Sequence, residues 1–283
     1  MSLKVDHVFY TYQKDTPFQN EALHDVSLEI QKGSFTGIIG HTGCGKSTLV
    51  QHFNGLLRPE KGDVYVDGER MTDDNVAVLR RKVGLVFQYP EYQLFEESVY
   101  KDVAYGLRKT MLSEEEKRAE ILSALEIVGM DASLAERSIY DLSGGQKRRV
   151  ALAGIIVMHP EYLVLDEPAA GLDPAGRDEI LGYLKRLQQE RGTTIVLVSH
   201  SMEDIARLAD AIYVLNDARL VLSGTAAEVF RNEEMLGEIG LAVPQITTLW
   251  NRLRKKFPEL PADIYTVDAA LEAVVAYGGG MVK

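Results

Sequence analysis

Phe35-Thr36-Gly37-Ile38-Ile39-Gly40-His41-Thr42-Gly43-Cys44-Gly45-Lys46-Ser47 is the stretch on which the fold of this 283-residue chain turns. A short apolar run of the kind a buried strand requires stops at a glycine-rich turn, and a helix is expected from Gly45 through Phe53. The turn fits G-x-x-x-x-G-K-[ST] with a strand before it and a helix after it, the context that gives the pattern its meaning. Glycines let successive backbone amides converge on a β-phosphate at a helix N-terminus, Lys46 reaches the β- and γ-phosphates, and Ser47 offers a hydroxyl to Mg²⁺. Gly40, His41, Thr42, Gly43, Cys44, Gly45, Lys46, Ser47 and the following Thr48 are therefore the candidate nucleotide-binding residues. His41 and Cys44 are expected to act through backbone amides more than through side chains.

Outward from this loop, Val5 to Tyr12 and His24 to Ile30 alternate loosely, are rich in β-formers and predict an antiparallel pair joined by the polar stretch 13–21. Val64 to Val66 and Val83 to Phe87 read as further strands, separated by an Asp67-Gly68 turn. From about residue 90 to 158 the period becomes helical: Val99 to Leu107 opens the stretch, and Ser113 with Glu116 forms a capping box before a helix to about Val128. Tyr162 to Leu165 and Thr194 to Val198 then flank a helix from about Pro174 to Gln189, the strand-helix-strand rhythm of a parallel sheet. The expected fold is α/β: a phosphate-loop nucleoside-triphosphatase core, mostly parallel with an antiparallel β subdomain, an inserted helical subdomain, and a helical appendage. Residues 1–230 are assigned to the first domain and 231–283 to the appendage, whose entry follows a Thr225/Glu228 capping box.

Tyr162-Leu163-Val164-Leu165-Asp166-Glu167 delivers two adjacent carboxylates at the C-terminal end of a strand, where ligands of open α/β sheets collect. Adjacent side chains at a strand end diverge, so Asp166 is expected to hold Mg²⁺, through water, while Glu167 faces the γ-phosphate and polarises the attacking water. Leu142-Ser143-Gly144-Gly145-Gln146 has a bland reading as the capping box of a helix whose apolar face runs from Ala151 to Val157. Two glycines in a first helical turn weaken it by about 1 kcal/mol each relative to alanine, and suggest close approach by a ligand instead. Bare backbone and a serine hydroxyl at a helix N-terminus make a second anion site.

The combination resembles the nucleotide-binding subunits of the ATP-binding cassette family, whose signature is LSGGQ; the likeness runs from about Val5 to Gly224. The resemblance implies two cassettes stacked head to tail, so that Ser143, Gly144, Gly145, Gln146 and Asp173 act in trans on the partner's nucleotide. Asp173 matches that family's D-loop as part of Gly171-Leu172-Asp173. By the same resemblance Tyr12 stacks on adenine, Gln88 contacts Mg²⁺ and links the core to the helical insertion, and His200 donates to the γ-phosphate. Where Cys44 stands the family usually has serine, and a thiol among amides at a helix N-terminus is expected to be reactive and shielded by ATP.

Gln88-Tyr89-Pro90-Glu91-Tyr92-Gln93-Leu94-Phe95, Gly240 to Ile246 and Gly40-His41-Thr42-Gly43 further resemble energy-coupling factor transporters, which import vitamins or transition-metal ions, and among them the second of two ATPase paralogues. The resemblance implies a paralogous second cassette, a membrane coupling subunit in the groove between the Gln88 loop and the helical subdomain, a substrate-binding membrane subunit, and a position on the cytoplasmic face of the membrane. Identical or paralogous cassettes remain alternatives for one chain. Ile246, Leu249, Trp250 and Leu253 form a helical stripe, which suggests that the appendage dimerises; an internal cover for the core is the alternative.

Composition narrows the field. Lys plus Arg total 31 against 42 Asp plus Glu, a formal charge of −11, which disfavours a general binder of nucleic-acid backbones. Cassettes of chromosome maintenance carry a long coiled coil where this chain has only the stretch between Lys46 and Ser143. One cysteine excludes a disulfide framework. The start, Met1 to Asp6, has no apolar region of a secretory signal, and the longest apolar run, Val150 to Met158, is far short of the ~20 residues that span a bilayer. A conventional importer or exporter ATPase shares all the catalytic chemistry and stays the nearest alternative.

Overall fold

The computed structural model describes residues 1–281; the last two residues of the expected appendage, Val282 and Lys283, lie outside the described residues. In chain order the strands and helices begin with β1 (Ser2–Tyr12), β2 (Asn20–Gln31), β3 (Phe35–Ile39), α1 (Lys46–Phe53), β4 (Lys61–Val66), β5 (Glu69–Arg70), α2 (Val76–Lys82) and β6 (Val83–Val86). The helical insertion follows with α3 (Val99–Ala104), α4 (Glu114–Ile127) and α5 (Gly144–Ile156). The core resumes with β7 (Tyr162–Asp166), α6 (Pro174–Arg191), β8 (Thr194–Val198), α7 (Met202–Leu208), β9 (Ala211–Asn216) and β10 (Arg219–Gly224). The chain then continues through α8 (Ala226–Phe230), α9 (Glu233–Glu238), α10 (Gln245–Arg254) and α11 (Val267–Met281).

One sheet, ordered β2-β1-β4-β5, is antiparallel; the other, ordered β10-β9-β3-β8-β7-β6, is parallel except for β10. β3, β7 and β8 are buried at every position, which is why they appear as apolar runs. Their period of two divides them between two cores. Leu163, Leu165, Ile195 and Leu197 face a cluster with Val150, Leu152, Leu181 and Ile205 of the helices. Tyr162, Val164, Val196 and Val198 face the opposite cluster, with Leu49 of α1 and Val5, Leu23 and Val64 of the antiparallel sheet. The nucleotide loop therefore leaves β3 between two layers that hold it from both sides.

Three differences from the sequence reading have local causes. β2 begins at Asn20 rather than His24, because the hairpin register pairs Tyr12 with Asn20 and shortens the polar connection. The β9–β10 hairpin has no turn dipeptide to announce it: Asp217 and Ala218 both adopt left-handed backbone (φ 44 and 64) without an Asn-Gly or Asp-Gly pair. The appendage does not separate cleanly at residue 231, since Leu236, Leu241 and Val243 join the main core. A distinct small core forms only beyond them, from Trp250, Leu260, Ile264 and Ala270, with Ile246 and Leu253 against it. The stripe offered as an interface cue is thus largely consumed inside the appendage: Trp250 is 2% exposed, and only Leu249 of the four points clearly outward, at 53%.

Candidate active site

β8 lies between β3 and β7 in the parallel sheet, so the C-terminal ends of three strands converge on one cleft. The cleft measures 290 Å³ and is lined by Tyr12, Asn20, Ala22, Thr42, Gly43, Gly45, Lys46, Ser47, Thr48, Gln88, Asp166, Glu167 and His200. Residues far apart in sequence are brought together by strand order in the parallel sheet and by the antiparallel sheet that shares a core with it. Asn20 and Ala22 were not legible beforehand; the only signal for them is the β1–β2 register, which sets Asn20 opposite Tyr12.

The loop owes its path to glycine. Gly45 has φ 104, and a Cβ there would stand 2.2 Å from the Ala22 carbonyl oxygen; at Gly40 a Cβ would stand 2.3 Å from that of Leu215. No side chain caps α1, which begins directly after Gly45, so its first amides face the cleft as anion donors. Lys46 is only 6% exposed and its Nζ donates to the carbonyls of Gly40 (2.7 Å) and His41 (2.8 Å). Thr48 is 3.2 Å from the Tyr12 hydroxyl through its own hydroxyl, and thereby ties the loop helix to the expected adenine platform.

Three of the expected loop residues do not line the cleft: Gly40, His41 and Cys44. Gly40 closes against Leu215, and His41 turns towards the β9–β10 hairpin, its Nε2 3.7 Å from an Asp217 carboxylate oxygen. Cys44 is 1% exposed and joins the core cluster under the antiparallel sheet. Burial pushes its thiol up against the opposing pull of Lys46, the reverse of the reactive thiolate expected from a helix N-terminus.

Asp166 ends β7, and Ser47 hydrogen-bonds its carboxylate; burial raises the acid while Ser47 and Lys46 oppose that shift. A hydroxyl and a carboxylate oxygen side by side, with Gln88 in the same cleft, suit Mg²⁺, which takes few protein oxygens and completes its shell with phosphate and water. Among the described residues there is no cluster of three or more His, Cys, Asp or Glu arranged to hold a metal without such help.

Glu167 follows with left-handed backbone, φ 53, and lines the same cleft. Its carboxyl is pushed up to about 7, chiefly by burial and then by the Asp166 charge, against the pull of Lys46 and the His200 amide. Oε1 of Glu167 is buried and makes no hydrogen bond, although His200 Nε2 lies 3.4 Å away. Burial, helped by the Lys46 charge, lowers His200, keeping the imidazole neutral at physiological pH. A buried carboxyl poised near neutrality with an unsatisfied oxygen is suited to accept a proton from water.

The signature residues are not in this cleft. Ser143 caps α5 by accepting from the Gln146 amide while the Gln146 side chain accepts from the Ser143 amide at 2.9 Å, a complete capping box. Yet a Cβ on Gly144 or Gly145 would meet nothing within 4 Å. Among the described residues, no contact accounts for glycine at either position. Asp173, also outside the cleft, caps α6 by accepting from the Gly176 amide at 2.8 Å.

The family model for ABC transporters matches residues 23–170. An energy-coupling factor transporter ATP-binding protein EcfA2 of Caldanaerobacter subterraneus is 51% identical over 279 residues, covering 98% of each chain. One of Acetivibrio thermocellus, with the same description, is 50% identical over 98% of this chain and 99% of its own. Among solved structures, cbiO1 from Clostridium perfringens, described as part of the ABC transporter complex cbiONQ, superposes with a TM-score of 0.75 at 39% identity, over 88% of this chain and 98% of that one. A dimeric cassette, MJ0796, bound to ADP and Pi in a post-hydrolysis state, superposes at 0.71 with 30% identity, over 79% of this chain and 98% of that one.

Proposed function

This chain belongs to the ABC transporter family, within its energy-coupling factor ATP-binding proteins, and from that premise we propose that it hydrolyses MgATP between two stacked cassettes to power micronutrient uptake. The observation that carries the chemistry is the single cleft holding Lys46, Ser47, Asp166, Glu167 and His200.

ATP enters with its adenine beside Tyr12 and its phosphates against the uncapped start of α1. Lys46 exchanges carbonyl partners for phosphate oxygens, a stronger charge-assisted contact. Ser47, Asp166 and Gln88 are the residues that would hold Mg²⁺, which would supply neutralisation of developing phosphate charge. Glu167 accepts the proton of the attacking water through the side chain whose Oε1 lacks a partner, and His200 donates to the γ-phosphate.

The unfilled space over Gly144 and Gly145 supports a site completed from outside the chain, and the MJ0796 cassette shows that a relative is dimeric with ADP and Pi. Ser143, Gly144, Gly145 and Gln146 thus serve the nucleotide of the facing cassette, a paralogue in this reading, with Asp173 at the same junction. The exposed aromatics Tyr92 and Phe95 beside Gln88 suit the groove for a membrane coupling subunit, which is accompanied by a substrate-binding membrane subunit. No helix of the described residues is long and apolar enough to cross a membrane; in the proposed assembly those partners hold the chain at the cytoplasmic face. The appendage pairs through α11, where Val267, Leu271, Val274 and Val275 are 68, 62, 51 and 66% exposed on one helical face.

Glu167→Gln tests the mechanism. Steady-state ATP turnover is expected to fall by about 10²–10⁴-fold while ATP binding persists and a closed pair accumulates in sedimentation. Turnover near the wild-type rate would overturn the role of Glu167.

A further inference from the structure

Arg148 is a cation on the buried face of α5, 3% exposed, in register with Leu152 and Ile156 one and two turns on. All of its donors are directed at groups from other parts of the chain. Nε and Nη2 form a two-pronged pair with Glu91, at 3.1 and 2.8 Å, in the 3₁₀ turn Pro90–Gln93 that follows Gln88. Nη1 donates to the carbonyls of Pro168 (3.4 Å) and Ala170. Those carbonyls belong to the turn that starts at Glu167, which is closed by the Ala170 amide donating to the Glu167 carbonyl at 3.1 Å. Burial works against the Glu91 charge, but the guanidinium outweighs it and holds the carboxyl below its usual range.

We propose that Arg148 is a positioning residue that couples the Pro90–Gln93 turn to Glu167, so that displacement of one moves the other. Resting on the docking groove proposed above, the coupling places the partner-facing surface and the water-activating carboxyl on the same guanidinium. Three physical points carry it. Glu167 holds a left-handed backbone, a conformation that costs about 1–3 kcal/mol and persists only where its surroundings impose it. The two carbonyls gripped by Arg148 lie in that turn, so the guanidinium constrains it from the α5 side. Arginine alone has the planar fork that can pair with a carboxylate on one edge while a further nitrogen serves carbonyls, which a lysine ammonium does not reproduce. Ser143 is the N-cap of the same helix, so the signature and the guanidinium that grips the Glu167 turn are carried on one element.

Glu91→Gln removes the charge pair at the far end of this connection without touching the turn after Glu167. In the full-length chain, hydrogen exchange followed by mass spectrometry is expected to accelerate at residues 167–172 by about fivefold or more, beyond the local change at 89–93. Unchanged exchange at 167–172 overturns the coupling. Arg148→Lys, in the purified complex with its membrane partners, is expected to lower kcat for ATP about tenfold with KM within about twofold, because position rather than nucleotide binding is lost. Wild-type kcat in that variant also overturns it. If Arg148→Lys does not fold, the Glu91→Gln exchange measurement decides alone. Absence of ATP turnover in the wild-type complex would count against the transport reading, whereas the exchange result stands apart from it.

Discussion

Glu167, the proposed base, combines left-handed backbone, a carboxyl near neutrality and an unsatisfied buried oxygen. Gly45 is its structural counterpart on the phosphate side. Gly45→Ala would force a Cβ against the Ala22 carbonyl at φ 104, so it is expected to destabilise the chain by about 1–3 kcal/mol and to abolish ATP binding, checked by thermal melting and equilibrium nucleotide titration. Native-level ATP affinity in that variant would show that the loop tolerates another path. Cys44 carries the opposite lesson. Its neighbours in sequence suggest a reactive thiol, but its side chain lies in the core and burial raises it. Native protein should therefore react with a maleimide at least about tenfold more slowly than unfolded protein, with little added protection by ATP. Rapid labelling that ATP blocks would restore the sequence-based expectation.

Among elements, α5 does the most with the least regularity. Its capping box stabilises the helix from within, while its two glycines leave open the surface that would meet the facing nucleotide in the proposed pair. The two roles can be separated by Ser143 variants. Ser143→Ala should cost about 1 kcal/mol of stability through loss of the cap and should also lower ATP turnover. Ser143→Asp keeps a capping oxygen, so stability should return, yet its negative charge opposes a phosphate and turnover should stay low. Recovery of turnover with stability would reduce Ser143 to a cap. β7 and β8 were legible because burial on both faces demands unbroken apolar runs, as in Tyr162–Leu165 and Thr194–Val198. The capping boxes at Ser113 and Thr225 were legible because they are strictly local. β9 and β10 were not, since Ala218 takes a left-handed turn position that its residue type does not advertise.

For the whole molecule, the appendage reaches back to the core close to His200 and presents an apolar face outward. Its α10 begins where the Gln245 amide donates to Glu203 on α7, the helix that starts just after His200, and its α11 carries the exposed apolar face. Leu271→Asp combined with Val275→Asp is expected to weaken pairing in sedimentation with little change in the melting temperature, because both side chains are exposed in the single chain. Pairing at wild-type strength would assign the contact elsewhere. The sequence by itself determined the phosphate loop, the two carboxylates after β7, the parallel core and the signature helix, because each depends on residue types at fixed local spacing. Only the tertiary structure decided which loop side chains face the cleft, that Asn20 stands opposite Tyr12, that Trp250 closes an internal core, and that Arg148 bridges Glu91 to the Glu167 turn. Those outcomes depend on strand order, register and burial, which bring together groups that no local spacing relates.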